Sequence, residues 1–466
     1  MTDITETAQS AFALQSAGIN ARRQNFGTEA RREALAQLGA AIHRNEAAII
    51  AAMASDFGKP EAEVILTEII PVLQEIRHTS RHLRRWMRPR RVAPTLVTLG
   101  TTARIKPEAR GVCLIIAPWN YPFSLAIGPL VSALAAGNSV IIKPSEMTPA
   151  TSAVITQLIT QTFAPDLVTV VEGGVDASQA LLALPFDHIF FTGSPEVGKI
   201  VMAAASKTLA SVTLELGGKS PTIVSADAHL KNAAKWIAFG KFANAGQTCI
   251  APDHIFVDRA VKDDFLTALR DRITQSYGHG AQSPHLAKIV NDQHAQRLSG
   301  LLGDAVSKGA KITLDGTAQG RNIGPTLIEA VTPEMDISSA EIFGPILPIM
   351  TYDDIDTVLQ QINARPKPLA LYVFGKSRAH SDKIIAATSS GSVGVNLTVA
   401  QFTHHGLPFG GVNSSGIGSA HGHFGFQAFS HDRAILSNYA SVLSLVFPPY
   451  THRVKRLIGF VKRILG

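Results

Sequence analysis

From Glu29 to Phe57 apolar residues recur at Leu35, Leu38, Ile42, Ile49 and Met53, the spacing of one helical face, and Gly58-Lys59-Pro60 supplies the stop. Residues 112–116, Val-Cys-Leu-Ile-Ile, form an uninterrupted apolar run between Gly111 and Pro118, which reads as a parallel strand buried on both faces. Helix and strand then alternate: helix 123–136 closed by Gly137-Asn138, strand 139–142, helix 150–163, strand 168–171, helix 176–184 and strand 187–191. Strands joined by helical crossovers predict a doubly wound α/β sheet. A second α/β series is expected from strand 212–216, through strand 221–224 and a helix near 229–243, to strand 254–257. Residues 89–106 lack helical periodicity, carry Pro94 and Gly100, and are expected to protrude as a hairpin; the Gly-rich stretch 406–425 reads as a long loop. Near the end, Val454, Leu457, Ile458, Val461, Ile464 and Leu465 fall on one helical face, with Lys455, Arg456, Lys462 and Arg463 on the other. Such a basic amphipathic helix rises only about 20 Å, so it suits the surface of an anionic membrane but cannot span one. Docking on the protein itself is the alternative.

Length sharpens this picture, since 466 residues exceed one ordinary core and imply at least two domains. With 45% hydrophobic and only 17% charged residues, disorder is excluded for most of the chain, and no apolar run reaches the ~18–20 residues of a membrane-spanning helix. The 43 basic and 36 acidic residues leave a net charge of +7. Much of the excess is local, in Arg81, Arg84, Arg85, Arg88, Arg90, Arg91 and the last fifteen residues, so nucleic acid is not an expected partner. Two cysteines, Cys113 and Cys249, cannot build a disulfide framework, and the polar, acidic start has no leader-like core; a cytoplasmic location is the expectation.

Three residues suggest covalent catalysis. Cys249 follows Asn244-Ala-Gly-Gln-Thr, where Gly246 and Pro252 break regular structure after a helix, so its thiol sits on a turn that can present a nucleophile. Taken alone, a lone cysteine reads first as a buried structural thiol, as Cys113 does within its strand. Glu215 interrupts the apolar run 212–216 just before Gly217-Gly218, at a strand's carboxyl end, where doubly wound sheets place their sites and burial raises a carboxyl toward general-base use. An ordinary paired surface carboxylate is the other reading. Asn120, in Pro118-Trp119-Asn120-Tyr121-Pro122, lies on a turn stiffened by two prolines, where a fixed amide either donates to an oxyanion or simply forms the turn.

Three segments suit a nucleotide. Gly193-Ser194-Pro-Glu-Val-Gly198-Lys199 follows a strand and opens a helix, but Ile200 removes the hydroxyl a Walker A loop needs, and no G-x-G-x-x-G appears. Lys143-Pro-Ser-Glu146 ends a strand with two groups able to hold ribose hydroxyls, and Glu341-Ile-Phe343-Gly-Pro sets a carboxylate and a ring beside a turn. His404, His405, His421, His423 and His431 cluster without zinc-like spacing, so no metal site is expected.

In order along the chain, Pro118-Trp-Asn-Tyr-Pro, Lys143-Pro-Ser-Glu, Phe191-Thr-Gly-Ser, Glu215-Leu-Gly-Gly-Lys-Ser-Pro, Gly246-Gln-Thr-Cys, Glu341-Ile-Phe-Gly-Pro and Pro408-Phe-Gly-Gly resemble the NAD(P)-dependent aldehyde dehydrogenase superfamily. The resemblance is nearest to its class 3-like branch of fatty and coniferyl aldehyde dehydrogenases and runs from about Ala30 to His431. It implies an aldehyde oxidised to the acid through a hemithioacetal and thioester, with Cys249 as nucleophile, Glu215 as base and Asn120 as oxyanion donor. It further implies NAD, with NADP also accepted, at Trp119, Lys143, Glu146, Thr192, Gly193, Ser194, Gly198, Glu341 and Phe343, and no metal. The implied substrates are aromatic or medium- to long-chain aliphatic aldehydes, and the implied assembly is a homodimer. A Rossmann-like cofactor domain is expected over 1–88 and 107–211, a catalytic domain over 212–405, a bridging and oligomerisation β element over 89–106 and 406–432, and a tail over 433–466. Ala245, where related sequences often have Ser, and His254, where Tyr is common, depart from the branch and bear on substrate preference.

Overall fold

The computed structural model describes residues 3–278, 280–440 and 442–465; Met1, Thr2, His279, Ser441 and Gly466, all within the expected domain bounds, lie outside the described residues. Six strands form the first sheet, in the order Gly416–Ile417, Ser211–Leu216, His188–Gly193, Val112–Ile116, Ser139–Lys143 and Val168–Val170. All neighbours are parallel except Gly416–Ile417, which runs antiparallel to Ser211–Leu216. The central strand is apolar throughout because helices cover both of its faces. Cys113 and Ile115 join a core with Leu35, Leu38 and Leu130, whereas Val112, Leu114 and Ile116 join one with Phe186 and Val201. Glycines end the covering helices where expected: Gly58, at φ 62°, closes Glu46–Phe57, and Gly137, at φ 96°, closes Ser124–Ala136.

The second sheet has seven strands, ordered Lys311–Leu314, Thr326–Glu329, Ile346–Tyr352, His254–Asp258, Pro221–Val224, Ala370–Phe374 and Ser392–Val395, parallel apart from the first. One expectation is corrected here. The strand expected to open the second series at Val212 belongs to the first sheet, where Thr192 pairs with Glu215 in parallel register, and the chain crosses between sheets over residues 217–220. An apolar run ending in glycines marks a strand but carries no mark of which sheet it joins.

Residues 89–106 form the expected hairpin: Arg90–Val92 pairs antiparallel with Thr101–Ala109. A third strand, Ser430–Asn438, lies along the whole length of Thr101–Ala109, so residues 433–438, expected as the start of the tail, are sheet. The loop 406–425 is also partly ordered into strand, at Gly416–Ile417, and into the helix Gly422–Ala428. The tail helix runs His452–Leu465, and the side chain of Leu465 lies outside the described residues.

Candidate active site

The two sheets meet so that the carboxyl ends of the first-sheet strands carry Asn120 and Glu215, while Cys249 hangs from the turn leading into the second-sheet strand His254–Asp258. The nucleophile turn is a strained piece of backbone. Asn244 and Ala245, both non-glycine, adopt φ 53°, and Gly246 follows at φ 74°, close against the carbonyl of Gly344, where a Cβ would overlap it. Hydrogen bonds hold this turn: Gln247 Nε2 donates to the carbonyls of Asn244, at 3.0 Å, and Lys288, at 3.1 Å, and its Oε1 accepts from Val290 N at 2.9 Å.

The oxyanion turn is tied to the same segment. Asn120 Nδ2 donates to the Gln247 carbonyl at 3.0 Å, and Asn244 Nδ2 donates to the Asn120 carbonyl at 2.7 Å. One hydroxyl-to-hydroxyl bond of 2.7 Å joins Tyr121 to Thr248, the residue before the nucleophile. Asn120 is buried and uses one amide hydrogen on Gln247, leaving the second to aim elsewhere.

Cys249 and Glu215 line one cavity of about 300 Å³ whose remaining wall is mostly apolar, with Leu66, Leu125, Trp236, Phe239, Phe402 and Phe409. Thr192 and His421 also face it. Both Glu215 oxygens and Thr192 Oγ1 are buried without a protein partner, on register-paired residues of neighbouring strands. Burial, with nothing offsetting it, raises the Glu215 carboxyl well above the usual carboxylate range. Burial also pushes the Cys249 thiol far up, with Glu341 and Glu215 adding to it, while the backbone N–H groups of Cys249 and Ile250 pull the other way. Cys113, wholly buried in its strand, is likewise pushed up, by burial first and Asp187 second.

Of the residues expected at a dinucleotide, Trp119, Lys143, Glu146, Thr192, Gly193, Ser194 and Gly198 follow or end strands of the first sheet, whereas Glu341 and Phe343 come from the loop before the second-sheet strand Ile346–Tyr352. Lys143 is buried at the end of its strand and pairs with the exposed Glu146 at 2.5 Å. Ser194 caps the helix Pro195–Ser206, accepting from Val197 N at 3.3 Å, so an N-terminal helix end opens beside Gly193. Gly198 is buried within that helix, where a Cβ would come within 2.8 Å of Leu216; its lack of a side chain lets helix and strand sit close. Trp119 meets Phe343 edge-on at 5.4 Å and His294 at 5.0 Å. Glu341 reaches under Gly217, where a Cβ would overlap its carboxylate. Its carboxyl is raised to about 8, by burial first, against the opposing Gly218 N–H. Behind it, Lys219 pairs with Asp253 and donates to the carbonyls of Ile337 and Ala340, at 2.8 and 3.0 Å, and Asp253 accepts from Ile342 N at 2.9 Å. An edge with a cation, two carboxylates, a helix N-terminus and an orphaned buried hydroxyl fits a dinucleotide of the NAD(P) kind.

Of the clustered histidines, His405 Nδ1 donates to the Glu75 carboxylate at 2.8 Å and His421 stacks on Phe409 at the cavity wall. Among the described residues no group of three or more metal-ligating side chains comes together.

Known proteins resemble the chain over nearly its whole length. The sequence profile of the aldehyde dehydrogenase family matches residues 3–435. The chain is 44% identical over 436 residues to the 4,4'-diaponeurosporen-aldehyde dehydrogenase of Staphylococcus aureus, covering 93% of this chain and 94% of that one. It is 40% identical over 439 residues to aldehyde dehydrogenase family 3 member H1 of Arabidopsis thaliana, covering 93% and 90%. Among solved structures, the substrate-bound state of Staphylococcus aureus AldH superposes with a TM-score of 0.92 at 42% identity, over 97% of this chain and 99% of that one. The chain belongs to the aldehyde dehydrogenase family, on its class 3-like side, and is an NAD(P)-dependent enzyme that oxidises aldehydes to acids.

Proposed function

We propose that Cys249 is the nucleophile, Glu215 the general base and Asn120 the oxyanion donor of this oxidation. What carries the reading is convergence: the turn thiol and the partnerless carboxyl line one cavity, and the asparagine amide is hydrogen-bonded to the nucleophile's own turn. Cys249 Sγ adds to the aldehyde carbon as the thiol gives up its proton, and the oxyanion accepts from the second Asn120 amide hydrogen and the Cys249 backbone N–H. Lys143, Glu146, Ser194, Glu341 and the neighbouring residues named above would hold NAD(P), which when bound would supply the hydride acceptor. Glu215 then takes a proton from a water molecule whose oxygen attacks the thioester carbon, and that proton passes to the departing Cys249 sulfur as the acid leaves. Enclosure by apolar side chains keeps other water away from the thioester.

The same apolar wall favours aromatic or medium- to long-chain aliphatic aldehydes over small hydrated ones. Replacing Cys249 with Ala is expected to abolish aldehyde oxidation while NADH binding, followed by fluorescence, stays within twofold of the parent. Near-parental turnover by that variant refutes the covalent route.

Two features outside the site support an assembly and a location. The hairpin sheet leaves Ser430–Asn438 as an edge strand carrying the exposed Leu436, with Val92, Leu96, Val97 and Leu99 exposed on the neighbouring hairpin, and we assign it to a homodimer contact. The tail helix leaves Leu457, Ile458, Phe460 and Ile464 more than a third exposed, so its apolar face is not covered by the rest of the chain. Together with its basic face, this favours an anionic membrane surface as the partner. No helix among the described residues is long and apolar enough to cross a membrane.

A further inference from the structure

Lys59 and Glu68 are both wholly enclosed, and their side chains meet at 2.8 Å. A buried pair of this kind rarely stabilises a fold more than apolar residues of the same size would, so its retention calls for a further reason. Each partner reaches beyond the pair. Lys59 Nζ stands 4.0 Å from the centre of the Tyr121 ring, and Glu68 Oε2 accepts from the backbone N–H of Ser124 at 2.8 Å, at the start of the helix Ser124–Ala136. These two contacts grip both ends of the segment that follows Asn120.

Glu68 owes its direction to a local irregularity. The helix bearing it widens to a π-turn over Ile65–Ile69, a feature frequently found at functional sites. Leu66 and Thr67 of this turn face the substrate cavity, while Glu68 of the same turn points into the protein. Two residues before the π-turn, Glu63 accepts from Asn244 N at 2.6 Å and so holds the strained backbone that leads to Cys249. Tyr121, lying over Lys59, closes the circuit through its 2.7 Å bond to Thr248. A single segment, residues 59–69, therefore touches the cavity wall, the oxyanion turn and the nucleophile turn.

We propose that the Lys59–Glu68 pair is a positioning device that holds the Asn120 turn and the Cys249 turn in register for attack on the aldehyde. Neither residue touches the reacting atoms; they act through Tyr121, Ser124 and the π-turn. This rests on the roles given to Asn120 and Cys249 above. Its signature is a selective loss: acylation depends on a placement that an error of about 1 Å degrades as much as a hundredfold, whereas among the described residues no hydrogen bond or ion pair joins the pair to the dinucleotide edge.

The test uses the full-length enzyme with Lys59→Met and Glu68→Gln combined, which removes both charges while the amide still accepts from Ser124 N. Single-turnover NADH formation is expected to slow by about ten- to a hundredfold, with aldehyde KM and NADH affinity within about twofold of the parent. A single-turnover rate within twofold of the parent, or equal losses in rate and cofactor binding, overturns the proposal. Should the double variant not fold, Tyr121→Phe decides the matter: it keeps the ring over Lys59 and removes only the hydroxyl to Thr248. A tenfold slower single turnover with unchanged cofactor affinity supports the device, and a parental rate overturns it. An inactive Cys249→Ala control alongside shows that the reading of the nucleophile stands; an active one places the failure there instead.

Discussion

Glu215 illustrates how one side chain couples chemistry to stability. Burial raises its carboxyl well above the usual range, so between the unfolded carboxyl pKa of about 4.3 and its own raised value the folded chain binds a proton that the unfolded chain does not. Folding is therefore opposed increasingly as pH rises through that window, and Glu215→Gln, which cannot ionise, escapes the slope. Its melting temperature is expected to match the parent at acid pH and to exceed it by about 1–2 °C in mildly alkaline buffer. The same variant should release a stoichiometric burst of NADH and then turn over about 10²–10⁴ times more slowly, with a flat pH profile where the parent rises. Absence of a burst, or parental turnover, takes Glu215 out of the hydrolytic step. At this scale the sequence was informative where chemistry and backbone coincide. Gly246 and Pro252 marked the Cys249 turn, and the glycines after Leu216 marked a strand's end. Lys59, Glu63 and Glu68 left no such sign, because a charged residue facing inward reads the same as one facing out until its partner is placed.

Among the elements, local periodicity located the strands and crossover helices between residues 112 and 193 to within about two residues, since each is bounded by its own stop signals. The helical face from Glu29 to Phe57, however, is two helices, Thr28–Arg44 and Glu46–Phe57, parted at Asn45, and the helices Ile4–Ala17 and Ile70–Trp86 went unread. Pairing was another matter. Ser430–Asn438 lies beside Thr101–Ala109, and Ser211–Leu216 beside His188–Gly193, through hydrogen bonds that leave no trace in either segment's pattern. The tail helix is the converse case, an element whose pattern was plain and whose surroundings were not. With Arg453, Lys455, Arg456, Lys462 and Arg463 beside an uncovered apolar face, the enzyme should co-sediment with phosphatidylserine-containing vesicles and not with neutral ones. High salt and deletion of residues 451–466 should each release it, leaving oxidation of a soluble aldehyde unchanged. Equal partitioning of full-length and shortened chains rules out the membrane assignment.

For the molecule as a whole, the hairpin sheet stands apart from both larger sheets and exposes a strand edge, which a second copy is expected to cover. Light scattering at micromolar concentration should give twice the chain mass, and a strict monomer removes that role from Arg90–Val92 and Ser430–Asn438. The crossing at residues 217–220 bears on a different property. Because Glu215 and Asn120 ride on one sheet and Cys249 on the other, the reacting groups exist as a set only while the two halves stay docked. Catalysis is thus a gauge of that docking, and in rising urea it should fade before far-UV circular dichroism does: the halves can part while each keeps its own hydrogen-bonded strands. An enzyme stored or heated near its limit would then look folded to a spectrometer and already be silent to its substrate.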